Sequence, residues 1–564
     1  MIGVERGVAG RRGEPWARGI AGLVLAVLAV AGCGTPDQAL RPDQASRPAS
    51  TAGSRVAVNR VSGDKLVAGA IAAVSRLDDF DEQRAYEQAF DRLSQWSHLT
   101  AAEAPGWRID PLVATVRPDL RSGVEAVLEQ PSFDARGDIS YLRDRRWLAD
   151  IAEVARGDSV DDLAVATRLF AWTVRSLAIV GDPPMVPTAE SPGTRWYLPG
   201  EILLTGRASG PQRSWLFVEL ARQAGIDAVM LATGDAASGN SRAWLPAVIS
   251  GGEAYLFEPT YGMPVPGPAG QGVATARQAA ADPAILAALS LPDRPYPVKA
   301  ADVAAVSVLV VAEPRSLSRR MTALDAQCAS RHGVRLATDA TGIGTRAAAA
   351  LPNEAAHVGL WEFPWETGRR RFNDPSVEAT ARRELAPFAI TFAEMVSGDR
   401  QTPRLVRPLF RARVREFRGD LDGPDGAKAA YLAARPSKGL IQQSLQDVPP
   451  DQTATVDRLY RMMKEDATYW LGLVTLAEGQ PAAAVDYLRR MTLEAAPDSR
   501  WTDAARTNLG RALVDLGRID EAVKVLREDG SPQRFGSRLL ADRLERQAAA
   551  AAEKSPESPP EDPG

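Results

Sequence analysis

The chain has 564 residues, of which 45% are hydrophobic and 24% charged, and 67 basic residues stand against 71 acidic ones for a formal net charge of −4. At roughly 100–200 residues per domain the length exceeds one ordinary core, and the balanced charge gives no global electrostatic case for binding nucleic acid. Two cysteines, Cys33 and Cys328, and three histidines, His98, His332 and His357, exclude a disulfide framework and leave no Cys/His set for a zinc cluster.

The N-terminus reads as an address. Arg6, Arg11, Arg12 and Arg18 precede an uncharged run over residues 19–32, the pattern of a secretory signal. The run is shorter than the about 20 apolar residues that span a bilayer. Val30-Ala31-Gly32-Cys33 resembles a bacterial lipobox. That resemblance implies cleavage before Cys33, lipidation of its thiol and a membrane-anchored envelope lipoprotein facing the periplasm, with the leaflet left open. Residues 1–32 are then the signal peptide and 33–60 a disordered tether rich in Pro, Ser, Gln, Asp and Arg.

From Lys65 to His98 apolar residues recur at helical spacing through Leu66, Ala70, Val74 and Leu77, then Tyr86, Phe90, Leu93 and Trp96. Asp158-Ser159 offers a cap for a helix through Leu163, Leu169, Trp172 and Val174. Both tryptophans fit the core. Gly210 to Leu231 reads as a helix followed by a strand. Leu216, Phe217, Leu220 and Ala224 share a stripe, and Gly225 stands where a left-handed residue ends the helix. Ser241 to Ile249 reads as a strand, Gly251-Gly252 as a turn, and Tyr255 to Gly262 as a returning strand and bend.

This order of elements resembles the transglutaminase-like (papain-like thiol) superfamily. Arg222-Gln-Ala-Gly225-Ile226, Arg242-Ala243-Trp244 and Glu258-Pro259-Thr260 stand in the places of its Arg-x-x-Gly-Ile-Pro, His-x-Trp and Asp-Pro-Thr motifs. The resemblance covers roughly residues 150–265 and implies helices packed on an antiparallel sheet. It does not carry the chemistry across. The nucleophile position falls on Gly210, which has no side chain, and the general-base position on Arg242, which stays protonated. Only Glu258 keeps the character of its position, so the resemblance implies an inactive relative with no catalytic residue, no cofactor and no metal. Ser209 and Ser214 flank Gly210 with capping or surface roles expected for both, and Cys328, four residues before His332 on one helix face, is expected to be a buried small hydrophobe. If the resemblance holds, Arg242 and Glu258 meet in a salt bridge in place of the His–Asp pair. The candidate binding cleft consists of Arg213, Trp215, Arg242, Trp244 and Tyr261.

Beyond the turn-rich Pro292–Pro297 stretch, Val306–Ala312, Gly333–Leu336 and Val358–Phe363 read as strands around a helix at 316–331, a small α/β unit over 300–400. From about Thr402 the pattern is helical. Leu471-Gly472, Gly479, Ala484 and Leu488 recur as Leu509-Gly510, Gly517, Ala522 and Leu526, every offset being 38 residues. The spacing resembles the tetratricopeptide signature, whose usual period is about 34 residues, with the extra residues expected around Pro497–Arg500. Small residues at Gly472, Ala484, Gly510 and Ala522 let paired helices approach, and such arrays offer a concave protein-binding face.

The expected organisation is therefore α+β: residues 61–290 hold a helical region plus the degenerate domain, 300–400 the α/β unit, 401–545 the helical repeat and 546–564 a disordered tail. The function expected is a non-catalytic scaffold or adaptor that binds proteins or peptides through the repeats, meets the membrane through its lipid, and binds no nucleic acid. The alternative is an envelope hydrolase or acyltransferase of the protease or amidase class that uses an unrecognised nucleophile.

Overall fold

The computed structural model describes residues 52–78, 81–100, 106–181, 195–234, 241–353, 356–394, 404–446 and 448–554. Cys33, the signal segment and residues 34–51 of the expected tether lie outside the described residues.

Two helices open the described chain, α1 (Ala52–Ser75) and α2 (Glu82–Thr100). Their apolar stripes bury Val67, Ala70, Val74, Leu93 and Trp96. α1 begins inside the stretch expected as tether, because the helical run of apolar residues extends upstream of Lys65. The helices α3 (Gly137–Arg156) and α4 (Asp162–Ser176) follow. α4 is capped by Asp161 rather than by Asp158-Ser159, the Asp161 carboxylate accepting from Ala164 N. α5 (Gly210–Gln223) is buried along almost its whole length. It stops where Gly225, at φ +83°, turns left-handed and Ile226 N donates to Ala221 O at 2.9 Å.

The chain then builds β1 (Asp227–Thr233), β2 (Arg242–Ser250), β3 (Glu253–Glu258), β4 (Met263–Pro264), β5 (Ser307–Val310) and β6 (Val358–Leu360). They form one six-stranded sheet in the order β4-β3-β2-β1-β5-β6. Every pair is antiparallel except β5 with β6. Val229 faces Ala247 across β1–β2, and Val248 faces Tyr255 across β2–β3. Side chains alternate along each strand. Ala228, Met230, Val248 and Phe257 enter the core that holds α5, while Val229, Leu231, Ala247, Leu256, Val308 and Val310 enter a second core on the opposite face. The strands of residues 300–400 thus extend this sheet rather than found a separate α/β unit, because Met230 pairs with Leu309 and Val308 with Val358. Gly333–Leu336 is not a strand; it is an irregular segment after α6 (Arg319–His332), whose Asp325 carboxylate accepts from Leu336 N and Ala337 N and so replaces ladder bonds.

The helices α7 (Pro375–Ala389) and α8 (Pro408–Phe417) lead to the repeat: α9 (Pro450–Ala477), α10 (Pro481–Val485, continued as a π-helix over Asp486–Glu494), α11 (Thr502–Asp515), α12 (Ile519–Arg527) and α13 (Arg534–Lys554). A Cβ on Gly472 would lie 2.9 Å from Leu488, and one on Gly510 would lie 2.8 Å from Leu526. Each glycine is therefore the seat of a leucine from the second helix of its own copy. The longer period is taken up partly in the turn before α11 and partly in the π-helix, whose i→i+5 bonds wind more residues per turn than an α-helix. α13 runs past residue 545 into the stretch expected as a disordered tail, because Ala548–Ala552 is a run of the best helix former.

One continuous core joins Trp147, Trp215 and Phe217 to Tyr431, Trp470, Trp501 and Leu526. The repeat is fused to the body through shared burial and is not a free-standing array. Among the described residues no helix is long and apolar enough to cross a membrane.

Candidate functional site

The start of α5 and the end of β3 lie together beneath the last helix of the repeat. Ser209 caps α5, its hydroxyl accepting from Gln212 N at 3.4 Å while Gln212 Oε1 accepts from Ser209 N at 3.0 Å. Gly210 and Pro211 fill the first turn, and Ser214 Oγ donates to Gly210 O at 3.0 Å. Both serines are spent on capping and back-bonding. Gly210, which the resemblance sets at the nucleophile position, is buried and presents only backbone.

Glu258 is buried at the end of β3. Its carboxylate accepts from Thr260 N at 2.9 Å and from the Tyr296 hydroxyl, which in turn accepts from Trp244 Nε1 at 2.9 Å. The salt bridge expected between Arg242 and Glu258 does not form. Arg242 starts β2 opposite Thr233 and is exposed, and Tyr296 takes the place at the carboxylate. Burial pushes the Glu258 carboxyl above the usual range, opposed by the Tyr296 and Thr260 hydrogen bonds, and burial beside Glu258 pushes the Tyr296 phenol well above its ordinary value. The Trp244–Tyr296–Glu258 chain is a satisfied polar network with no nucleophile in it.

Two other residues of the expected cleft are core. Trp215 is fully buried, with Nε1 donating to Glu219 Oε1 at 3.3 Å, and Glu219 also receives Arg145 and Arg222. Arg213 is fully buried and donates to Leu177 O, Pro259 O and Gln533 Oε1. Neither lines an open cleft. Tyr261 is buried too, its ring set edge-on to Tyr296 at 5.6 Å and 6.1 Å from Phe535. Trp244, half-buried, belongs to the network above.

The segment 531–538 closes this end of the body. Gln533 seats on Gly262, which at φ +68° leaves no room for a Cβ (2.8 Å from Gln533 Cδ). Gly536 lies so close to the Tyr261 carbonyl that an added Cβ would overlap its oxygen. Arg294 stacks over the Phe535 ring at 3.8 Å, and Arg538 grips Asp293 with two bonds of 3.0 Å. The chain's own connection into α13 is thus packed over the start of α5 and the end of β3.

No histidine enters the site. His98 lies on α2, His332 ends α6, and His357 precedes β6, where its carbonyl accepts from Val308 N. Cys328 is fully buried among Met321, Leu324 and Val334, and burial pushes its thiol up to about 12. Among the described residues no group of three His, Cys, Asp or Glu is placed to hold a metal ion. Sequence reading missed Tyr296, Gln533, Phe535 and Gly536. The first had a signal, an aromatic held between Pro295 and Pro297; the others are brought in from the far end of the chain without one.

The tetratricopeptide repeat family model matches residues 475–535, about a tenth of the chain. No curated protein and no solved structure matches the chain. The matched segment runs from the last residues of α9 through α10, α11 and α12 to the start of α13, and it contains the hairpin in which Gly510 receives Leu526. Repeats of this kind are protein-binding modules. Here the first helix of each copy faces the body. Trp470 of α9 packs on Gly206, and Asn508 of α11 donates to the Arg175 carbonyl at 3.2 Å. The face expected to stand open for a peptide is therefore occupied from within.

Proposed function

We propose that the chain is an exported, lipid-anchored envelope protein that works as a non-catalytic scaffold, built on a degenerate transglutaminase-like core clasped to a tetratricopeptide segment. The observation that carries the reading is the state of the would-be active site. Glycine stands at the position the resemblance gives to the nucleophile, the exposed Arg242 at that of the base forms no ion pair with Glu258, and Gln533, Phe535 and Gly536 pack against Arg213, Arg294 and Tyr261. The helix–strand–strand order of α5, β2 and β3, with α5 packed across the sheet, supports kinship with the transglutaminase-like superfamily. Cys33 is the lipid attachment site in this proposal.

Because the inner face of the repeat is spent on the body, partners dock on the second helices, where Arg490 and Lys524 are exposed. The test is crosslinking and affinity purification from envelope fractions, comparing the parent with Arg490→Glu/Lys524→Glu. The fold should be unchanged and specific partners lost. An identical set of captured proteins would refute the docking face. Cys33→Ala should abolish lipid labelling and release the protein from membranes; processing and fractionation like the parent would end the lipoprotein proposal.

A further inference from the structure

A pocket of about 320 Å³ lies between the end of α5, the start of β1, α6 and the helix Ala340–Ala349, and it shares no residue with the candidate cleft. Six charged side chains line it, and pairing them off leaves two. Arg222 is spent on Glu219 at 2.8 Å and on the Val311 carbonyl. Arg346 holds Asp227 at 2.5 Å and lies 3.9 Å from Asp339, whose carboxylate caps the Ala340–Ala349 helix at Gly342 N. Arg335 and Asp325 remain. Neither has an ion-pair partner among the described residues, and no ion pair joins them to each other.

Both residues are held from behind. The Gln223 amide accepts from Arg335 N at 2.9 Å and donates to Arg335 O at 2.8 Å. The Arg335 guanidinium lies over Gly225, where a Cβ would come within 3.1 Å of Nη2. Asp325 accepts from Leu336 N and Ala337 N, both on Oδ1, which leaves Oδ2 without a hydrogen bond among the described residues. One stretch of main chain, residues 335–337, therefore fixes a guanidinium fork and a carboxylate in the wall of the same pocket, and keeps them apart before any ligand arrives. Thr338, 8% exposed in that wall, has an unpartnered hydroxyl. Ile226, Ala228 and Ile343 supply the apolar part of the lining. The volume is that of a small-molecule site.

We propose that this pocket binds a small zwitterion, an α-amino acid or dipeptide with a small aliphatic side chain, its carboxylate on the Arg335 guanidinium and its ammonium on Asp325 Oδ2. An anion alone would face an unanswered Asp325, and a cation alone an unanswered Arg335, so the site selects for both charges on one molecule. The free amino acid and the dipeptide present the same two end groups and differ in the span between them.

The test is isothermal titration calorimetry on the full chain carrying Cys33→Ser, with L-alanine and L-alanyl-L-alanine as probes. At least one should bind saturably with a dissociation constant below about 1 mM, and the tighter of the two assigns the span. N-acetyl-L-alanine keeps only the carboxylate and L-alaninamide only the ammonium; each should bind at least about tenfold more weakly. Arg335→Gln should weaken the zwitterion by about tenfold or more and leave L-alaninamide unchanged. Asp325→Asn still offers Leu336 N and Ala337 N an acceptor; it should weaken the zwitterion and leave N-acetyl-L-alanine unchanged. Arg335 is exposed, so its variant decides the matter even where Asp325→Asn disturbs the fold. No saturable binding of either zwitterion, or binding at parental strength in Arg335→Gln, overturns the site. So does N-acetyl-L-alanine binding as tightly as the zwitterion. The scaffold reading is untouched by that failure, since its docking face lies on α10 and α12.

Discussion

Arg213 and Gln533 are 320 positions apart in sequence and share a hydrogen bond of 2.7 Å from Nη1 to Oε1, inside a fully buried contact between the first turn of α5 and the entry to α13. The guanidinium is held otherwise only by main-chain carbonyls, so Gln533 is its one side-chain acceptor. Through this bond the C-terminal segment is part of the fold of the middle domain. Gln533→Ala is predicted to lower stability by about 1.5–3 kcal/mol, the range for a hydrogen bond to a buried charge. Urea denaturation measures it. A loss near zero would mean that the segment merely rests on the body.

The same segment depends on a missing side chain. A Cβ on Gly536 would overlap the Tyr261 carbonyl oxygen, so backbone meets backbone, and neither side has a flexible end to give way. Gly536→Ala is expected to unseat the start of α13 at a cost of about 1–3 kcal/mol and to raise the rate of limited proteolysis between residues 528 and 540. A native proteolysis pattern would contradict it.

The repeat offers a sharper test because its clash is with a side chain. At Gly510 alanine should gain up to about 1 kcal/mol in helix propensity and lose about 1–3 kcal/mol against Leu526. Gly510→Ala is therefore predicted to be net destabilising in the parent. In a Leu526→Ala background, itself about 2–5 kcal/mol less stable, the same substitution should become neutral or stabilising. The double-mutant cycle reads the coupling, and additivity would refute the seating of Leu526 on Gly510.

What could be read in the sequence was what repeats locally or at a fixed period. The stripe of Leu216, Phe217 and Leu220 with Gly225 beyond it set α5, and the 38-residue recurrence of Gly472 and Leu488 at Gly510 and Leu526 set the helical hairpins, because in each case the pattern is the contact itself. The partner of Glu258 was not legible. Tyr296 arrives through an irregular turn with no period, and an Arg–Glu pair on adjacent strands looked complete on charge alone. The burial of Arg213 was hidden for a similar reason, since neutral carbonyls satisfy it and no acid marks the place. The extension of the sheet by β5 and β6 depends on pairings between strands far apart in the chain, which no local pattern encodes.

Cys328 distinguishes the scaffold from a thiol enzyme directly. Its burial holds the thiol at about 12, so the thiolate fraction at pH 8 is negligible. In a Cys33→Ser protein, Cys328 is predicted to be silent to a disulfide reagent such as Ellman's at pH 8 in the native state and to react once unfolded. Native reaction on the time scale of an exposed thiol would return the enzyme alternative.

The Glu258–Tyr296 pair predicts a pH dependence of defined sign. Burial raises the Glu258 carboxyl above its ordinary 4.5 in the folded protein, so the unfolded chain releases this proton at lower pH than the folded one does. The stability associated with Glu258 is therefore complete below pH about 4.5 and is lost as pH rises through the folded value. A glutamine side chain at this position would still accept from Tyr296 and Thr260 but has nothing to ionise. Glu258→Gln should thus match the parent below that point and become the more stable of the two as pH rises, with the gap reaching a plateau above the folded value. Tyr296→Phe removes the donor and should cost about 1–3 kcal/mol at neutral pH, where the carboxylate is left short of a partner. Urea titrations between pH 3.5 and 8 decide it: a parent that gains on the glutamine variant with rising pH would show that Glu258 is held as a stabilised carboxylate, and that its hydrogen bonds outweigh its burial.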